Sequence, residues 1–140
     1  MMNAVITITG MQGVTQPDAD TVELVTDGIY CRTEEGYQIR YLESEITGLM
    51  GTATTVDINP NEIVVERKGV LNSKMVFRTG EKSSFLYDTQ FGAATLGVDT
   101  RKINAVFDDN GGELSIDYVV NMEHAVVSRN KLNMSVRLRS

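Results

Sequence analysis

Apolar and polar residues alternate with a period of two along almost the whole chain, and few structures accommodate that pattern. Successive side chains of an extended strand point to opposite sides, so strict alternation marks a strand with one buried and one wet face. In the last segment Leu132, Met134, Val136 and Leu138 share one parity, while Lys131, Asn133, Ser135, Arg137 and Arg139 share the other. Leu114, Ile116, Tyr118, Val120 and Met122 repeat the pattern, as do Ala4, Ile6 and Ile8 near the start. Shorter runs are Tyr37, Ile39 and Tyr41, then Ile63 and Val65, Met75 and Phe77, and Phe85 and Tyr87. Strands with one wet face belong to antiparallel sheets. No segment sustains a helical period; between Val119 and Val127 there is room for one helical turn, but alternation accounts for most of that stretch.

Turn chemistry falls where the runs end. Gln16-Pro17-Asp18, Asn59-Pro60-Asn61, Leu71-Asn72-Ser73, Thr79-Gly80-Glu81 and Asp109-Asn110-Gly111-Gly112 supply the Gly, Pro, Asn and Asp that tight turns demand. Glu34-Glu35-Gly36 and Thr47-Gly48 mark two more turns. The result is about ten strand segments joined as hairpins, some of them expected to be halves of one bent strand.

Two changes of parity suggest where the sheet bends. Val22 and Leu24 are even-numbered, but past Asp27-Gly28 the apolar positions become Ile29 and Cys31. Leu96, Val98 and Thr100 likewise give way to Ile103, Ala105 and Phe107 across Arg101-Lys102. One extra residue in a ladder flips its faces, so each switch predicts a β-bulge. Bulges let a meander curl, and closure removes exposed edges. The expected fold is all-β, a single antiparallel up-and-down barrel over residues 1–140.

Composition agrees with one packed domain. Of the 140 residues, 41% are hydrophobic and 23% charged, and a domain of this size buries roughly 70% of its unfolded surface. The net charge of −6 leaves no surplus of Lys and Arg to displace phosphate counterions, so nucleic acid is not an expected partner. The basic residues Lys131, Arg137 and Arg139 read as a solvated strand face. No run approaches a membrane-spanning helix and Met1 to Gly10 lacks the charged start of a signal peptide, so a cytoplasmic protein with no membrane partner is expected. The lone Cys31 cannot close an internal disulfide, which suits a reducing compartment, and its apolar surroundings read as a buried structural thiol.

The reactive-looking motifs dissolve on inspection. One histidine and one cysteine cannot build a His/Cys zinc site within one chain, and His124, near a strand end, reads as a surface residue. Asp108-Asp109-Asn110 lacks the spaced ligands and closing Glu of a calcium loop. Thr79-Gly80-Glu81-Lys82-Ser83 lacks both the spacing of a phosphate loop and a following helix. Ser128-Arg129-Asn130-Lys131 matches a catalytic S-x-x-K by letters only and precedes a strand. No enzymatic activity and no cofactor are expected.

Polar residues continuing the apolar faces are more informative. Tyr37, Ile39 and Tyr41 lead on one face to Glu43; Ile63 and Val65 lead to Arg67; Phe85 and Tyr87 continue to Thr89; Tyr118 lies between Ile116 and Val120. An isolated buried charge is costly, so Glu43 and Arg67 each need a partner. They sit on strands separated by a single one, about 10 Å apart laterally, within reach of two long side chains. Either the two charges sit at the rims or pair structurally, or Tyr41, Glu43, Arg67, Tyr87 and Tyr118 form the polar end of a ligand cavity.

The segments Tyr41-Leu42-Glu43, Gly51-Thr52, Arg67-Lys68-Gly69, Phe77-Arg78-Thr79-Gly80, Tyr87-Asp88-Thr89-Gln90-Phe91-Gly92, Asp99-Thr100 and Gly111-Gly112-Glu113-Leu114-Ser115-Ile116-Asp117-Tyr118 resemble, in order and spacing, the YwiB-like family. The resemblance runs from about residue 3 to residue 139. That family comprises small bacterial proteins of unknown function with a calycin-type, lipocalin-like barrel. It implies about eight strands, the additional segments being bent strands, and a bacterial cytoplasmic protein. It transfers no catalytic residues. The chain departs from typical lipocalins in having no Trp and no disulfide. The expected function is non-enzymatic binding of a small apolar or anionic molecule inside the barrel, the alternative being a protein–protein interaction module with a packed interior. Homodimerisation through an edge or rim is compatible with either.

Overall fold

The computed structural model describes residues 2–12, 20–45, 49–123 and 125–139. Ten strands follow one another: β1 (Met2–Gln12), β2 (Asp20–Arg32), β3 (Tyr37–Leu42), β4 (Ala53–Asn59), β5 (Glu62–Lys68), β6 (Leu71–Phe77), β7 (Lys82–Thr89), β8 (Gly92–Asp108), β9 (Gly111–Met122) and β10 (Ala125–Leu138). Each pairs antiparallel with its neighbours in sequence, and β1 pairs with β10 to close the barrel. The about eight bent strands implied by the family resemblance are therefore replaced by ten separate ones: the segments are joined by turns rather than by bends. The turns expected at Gln16-Pro17-Asp18 and Thr47-Gly48, and His124, lie outside the described residues.

Alternation places the core inside the ring. Ala4, Ile6, Tyr30, Ile39, Val56, Ile63, Phe77, Val98 and Ile116 are almost wholly enclosed, and twenty buried apolar residues form one continuous cluster. At about 25 cal/mol per Å² of apolar surface removed from water, this shared interior is the main stabilising term.

One of the two expected bulges is present. Pairing between β8 and β9 shifts between Thr100 and Lys102, which returns Ile103 and Phe107 to the inner face after Val98 and Thr100. The other is absent. The β1–β2 ladder runs without interruption through Ala4↔Gly28 and Ile6↔Thr26 to Ile8↔Leu24, so Leu24, Thr26, Gly28 and Tyr30 all face inward. Ile29 and Cys31 point outward; Cys31 is half-exposed rather than buried. Gly28 holds the inner position because a Cβ there would lie 2.3 Å from Ile6 Cδ1 and 2.4 Å from the Arg40 carbonyl oxygen. A further irregularity, between Val126 and Ser128 on β10, had no parity signal.

The two ends of the barrel differ. At one, Tyr30 and Tyr37 stack with ring centroids 5.2 Å apart, and Phe107 packs against both. The Tyr30 hydroxyl donates to the Asp108 carbonyl oxygen at 2.8 Å and the Tyr37 hydroxyl to Asp109 Oδ1 at 3.0 Å. These rings plug that end. The ladder is thinnest between β6 and β7, where only Leu71↔Thr89 and Asn72↔Asp88 are in register; near the turn Ser83 Oγ reaches the Val76 carbonyl oxygen at 3.0 Å.

Candidate functional site

The end opposite the tyrosine plug is hollow. A row of register partners crosses the inner face of five adjacent strands there: Gly28 on β2, Tyr41 on β3, Thr54 on β4, Arg67 on β5 and Ser73 on β6. Gly28 is crowded by Ile6 and Tyr41, whereas Ser73 is a small neighbour beside Arg67. Glu43 lies just beyond β3 with the same inward parity. Its backbone N–H donates to the Thr52 carbonyl oxygen at 2.9 Å, which prolongs the β3–β4 pairing by one step and turns its carboxylate into the barrel. Facing this row are Tyr118 on β9 and its register partners Thr100 on β8 and Asn130 on β10.

The connection after Glu43 is anchored to the next turn. Thr52 is fully buried, and its hydroxyl accepts the Val70 N–H at 3.2 Å. Gly69 makes this approach possible, since a Cβ there would come within 2.6 Å of the Gly51 carbonyl oxygen. The mouth of the barrel is thus shaped by backbone contact between the β3–β4 and β5–β6 connections.

All five side chains singled out from the sequence, Tyr41, Glu43, Arg67, Tyr87 and Tyr118, line one cavity of about 420 Å³. Ile8, Leu24, Leu49, Leu71 and Leu132 supply apolar wall. Glu43, whose side chain is 3% exposed, accepts a 2.8 Å hydrogen bond from Thr54 Oγ1 and sits 3.7 Å from Arg67 Nε. Tyr41 is in hydrogen-bond contact with both Glu43 and Thr54, and burial, reinforced by the Glu43 charge, holds its phenol far above the usual range. Burial also raises the Tyr118 phenol, with Arg67 pulling partly the other way. Both phenols therefore stay protonated as donors at neutral pH. Tyr118 is braced edge-on by Phe77 at 4.9 Å. Tyr87, 42% exposed, stands at the mouth rather than in the interior.

Thr54, Asn130 and Lys131 also belong to this site, and sequence reasoning did not single them out for it. Thr54 had a usable signal, being a polar residue at even parity with Val56 and Ile58. Lys131 had none, because its parity assigns it to the wet face. Beside the mouth, Met50, Val70, Leu71, Tyr87 and Phe91 line an adjoining groove, and Phe91 is 90% exposed. Among the described residues no group of three or more His, Cys, Asp and Glu could hold a metal ion. The arrangement can bind; its groups include donors, one carboxylate and apolar wall.

Comparison with known proteins agrees with this geometry at the level of fold. The crystal structure of the YwiB protein from Bacillus subtilis superposes with a TM-score of 0.85, covering 99% of this chain and 93% of that one at 20% identity. In sequence, the chain is 27% identical over 99 residues to the uncharacterized β-barrel protein YwiB of Bacillus subtilis (strain 168), spanning 71% of this chain and 68% of that protein. The family model described as a domain of unknown function (DUF1934) matches residues 6–134. The chain belongs to the DUF1934 family of YwiB-like β-barrel proteins.

Proposed function

We propose that this protein is a non-enzymatic binder that takes a small, largely apolar or anionic molecule into the open end of its barrel. The observation that carries the reading is the convergence of Tyr41, Glu43, Arg67, Tyr87 and Tyr118 on one cavity of about 420 Å³. That volume lies in the range of small-molecule sites, roughly 300–1,000 Å³, as does the mixture of apolar wall with a few aimed polar groups. A packed module acting only through its surface has no use for a charged pair enclosed at the end of a hollow. A thermal-shift screen against lipids, acyl-CoAs, haem and polyphosphates tests the reading. A hit should raise the melting temperature with increasing ligand, and Leu24→Trp, which fills the cavity, should abolish the shift. No response to any class would overturn it.

A second reading rests on the rim. Phe91, Met50 and Val70 are exposed beside the mouth, and clustered exposed apolar groups mark contact surfaces. If they serve self-association, sedimentation should show a concentration-dependent dimer that Phe91→Glu abolishes.

A further inference from the structure

We infer that the ligand's polar end is a single carboxylate received head-first by Arg67, with an apolar tail running outward to the mouth. This rests on the binding-barrel reading and names its ligand class.

The head-group assignment follows from unequal satisfaction of the charged pair. Glu43 is served by the Thr54 hydroxyl and the Tyr41 phenol and faces Arg67 at 3.7 Å. Arg67 carries five N–H donors, yet its Nε is enclosed without a hydrogen-bond partner among the described residues. Its side chain as a whole is 23% exposed, and Arg67 lines the cavity. The planar guanidinium fork, part of which is exposed in the cavity, matches a carboxylate, which takes two parallel N–H···O bonds. Tyr118, opposite, adds a phenol donor. Glu43 and Arg67 are the charged residues that alternation aims into the cavity, whereas Lys131 borders it from the outer-face parity of β10. A head group with two negative charges would bring the second close to the Glu43 carboxylate, 3.7 Å from Arg67 Nε, which disfavours a phosphate dianion.

The direction of the tail follows from where the apolar wall lies. Below the charged row the interior is filled by Ile6, Ile39, Val56, Val65 and Ile116. Above it, Leu24 and Leu71 line the way out, and Tyr87 at the mouth is shared with the groove that leads to Phe91. A molecule entering tail-first would press its chain against the charges and leave its carboxylate among leucines.

The experiment compares decanoate, decanol and decyl phosphate by calorimetry on the full chain, wild type and Arg67→Gln. Wild type should bind decanoate about tenfold or more tighter than decanol, and tighter than decyl phosphate. Arg67→Gln should lose that preference while keeping its decanol affinity, which also reports that the variant is folded. With carboxyl-labelled decanoate on wild type, the bound head group should stay ionised to a pH below its free value, a measurement that needs no variant. Equal affinity for decanoate and decanol, or preference for decyl phosphate, overturns the carboxylate assignment and leaves the binding reading standing. Failure of all three probes, decanol included, overturns the binding reading itself.

Discussion

Arg67 Nε lies 3.7 Å from Glu43 Oε1 across the intervening strand β4, near enough to compensate the buried carboxylate and too far to be its hydrogen bond. Thr54, on that strand, makes the bond instead. The pair is thus coupled by charge, and Arg67 Nε has no hydrogen-bond partner among the described residues.

Removing the cation should expose the cost of the buried carboxylate. Arg67→Met is expected to destabilise the fold by about 3 kcal/mol, the scale for breaking a buried pair from one side. Glu43→Gln should cost less, because Arg67 reaches the hollow end and Thr54 still has an acceptor. The double variant should recover at least half the loss. Urea unfolding measures all three, and an Arg67→Met midpoint equal to wild type would refute the coupling.

Stability should fall in alkali through the buried phenols. Tyr41 and Tyr118 are held above the ordinary 10.0, mainly by burial. The unfolded chain releases those protons near pH 10.0 while the folded chain retains them. Their contribution is therefore complete below pH 10.0 and is lost as pH rises toward the folded values. Urea midpoints collected on either side of pH 10 should drop on the alkaline side, less steeply in Tyr41→Phe. A flat profile in wild type would contradict the burial of these rings.

Gly28 is a close-approach glycine with no bulge. Gly28→Ala places a methyl against Ile6 Cδ1 and the Arg40 carbonyl oxygen, and only the first can yield. Overpacking of this kind costs about 2 kcal/mol, readable as a lower melting temperature. Gly10, which has nothing within 4 Å of its Cβ position, is the control, and Gly10→Ala should differ from wild type by less than about 0.5 kcal/mol.

Opening of the barrel should begin at the β6–β7 seam. With two residue pairs in register there against eight between β7 and β8, the amides of β6 and β7 that face the seam have fewest ladder bonds to break. Hydrogen exchange should be faster at alternate amides of Lys74–Phe77 and Ser83–Tyr87 than in β9. Uniform protection around the barrel would show the seam to be as tight as the rest.

Much of this architecture is legible in the chain because side-chain parity is a local property. Leu132, Met134 and Val136 declare their face without reference to any other strand, and the flip at Arg101 shows as a change of parity because apolar residues flank it on both sides. The flip expected at Asp27-Gly28 was a misreading with a physical cause. The inner positions there are Thr26 and Gly28, kept polar and small by the crowding of Ile6 and Tyr41, while the apolar Ile29 and Cys31 are on the outside. Counting apolar residues therefore followed the wrong face.

Alternation by itself determined that the chain forms antiparallel strands, that Glu43 shares a face with Tyr41, and that Arg67 points the same way as Val65. Only the tertiary structure decided that the ring closes through β1 and β10, that Tyr30, Tyr37 and Phe107 plug one end, and that the other is hollow. Those features depend on the stagger between strands distant in sequence, which no local pattern encodes. Closure sets that stagger, and the stagger brings Arg67, Glu43 and Tyr118 to the same level of the barrel.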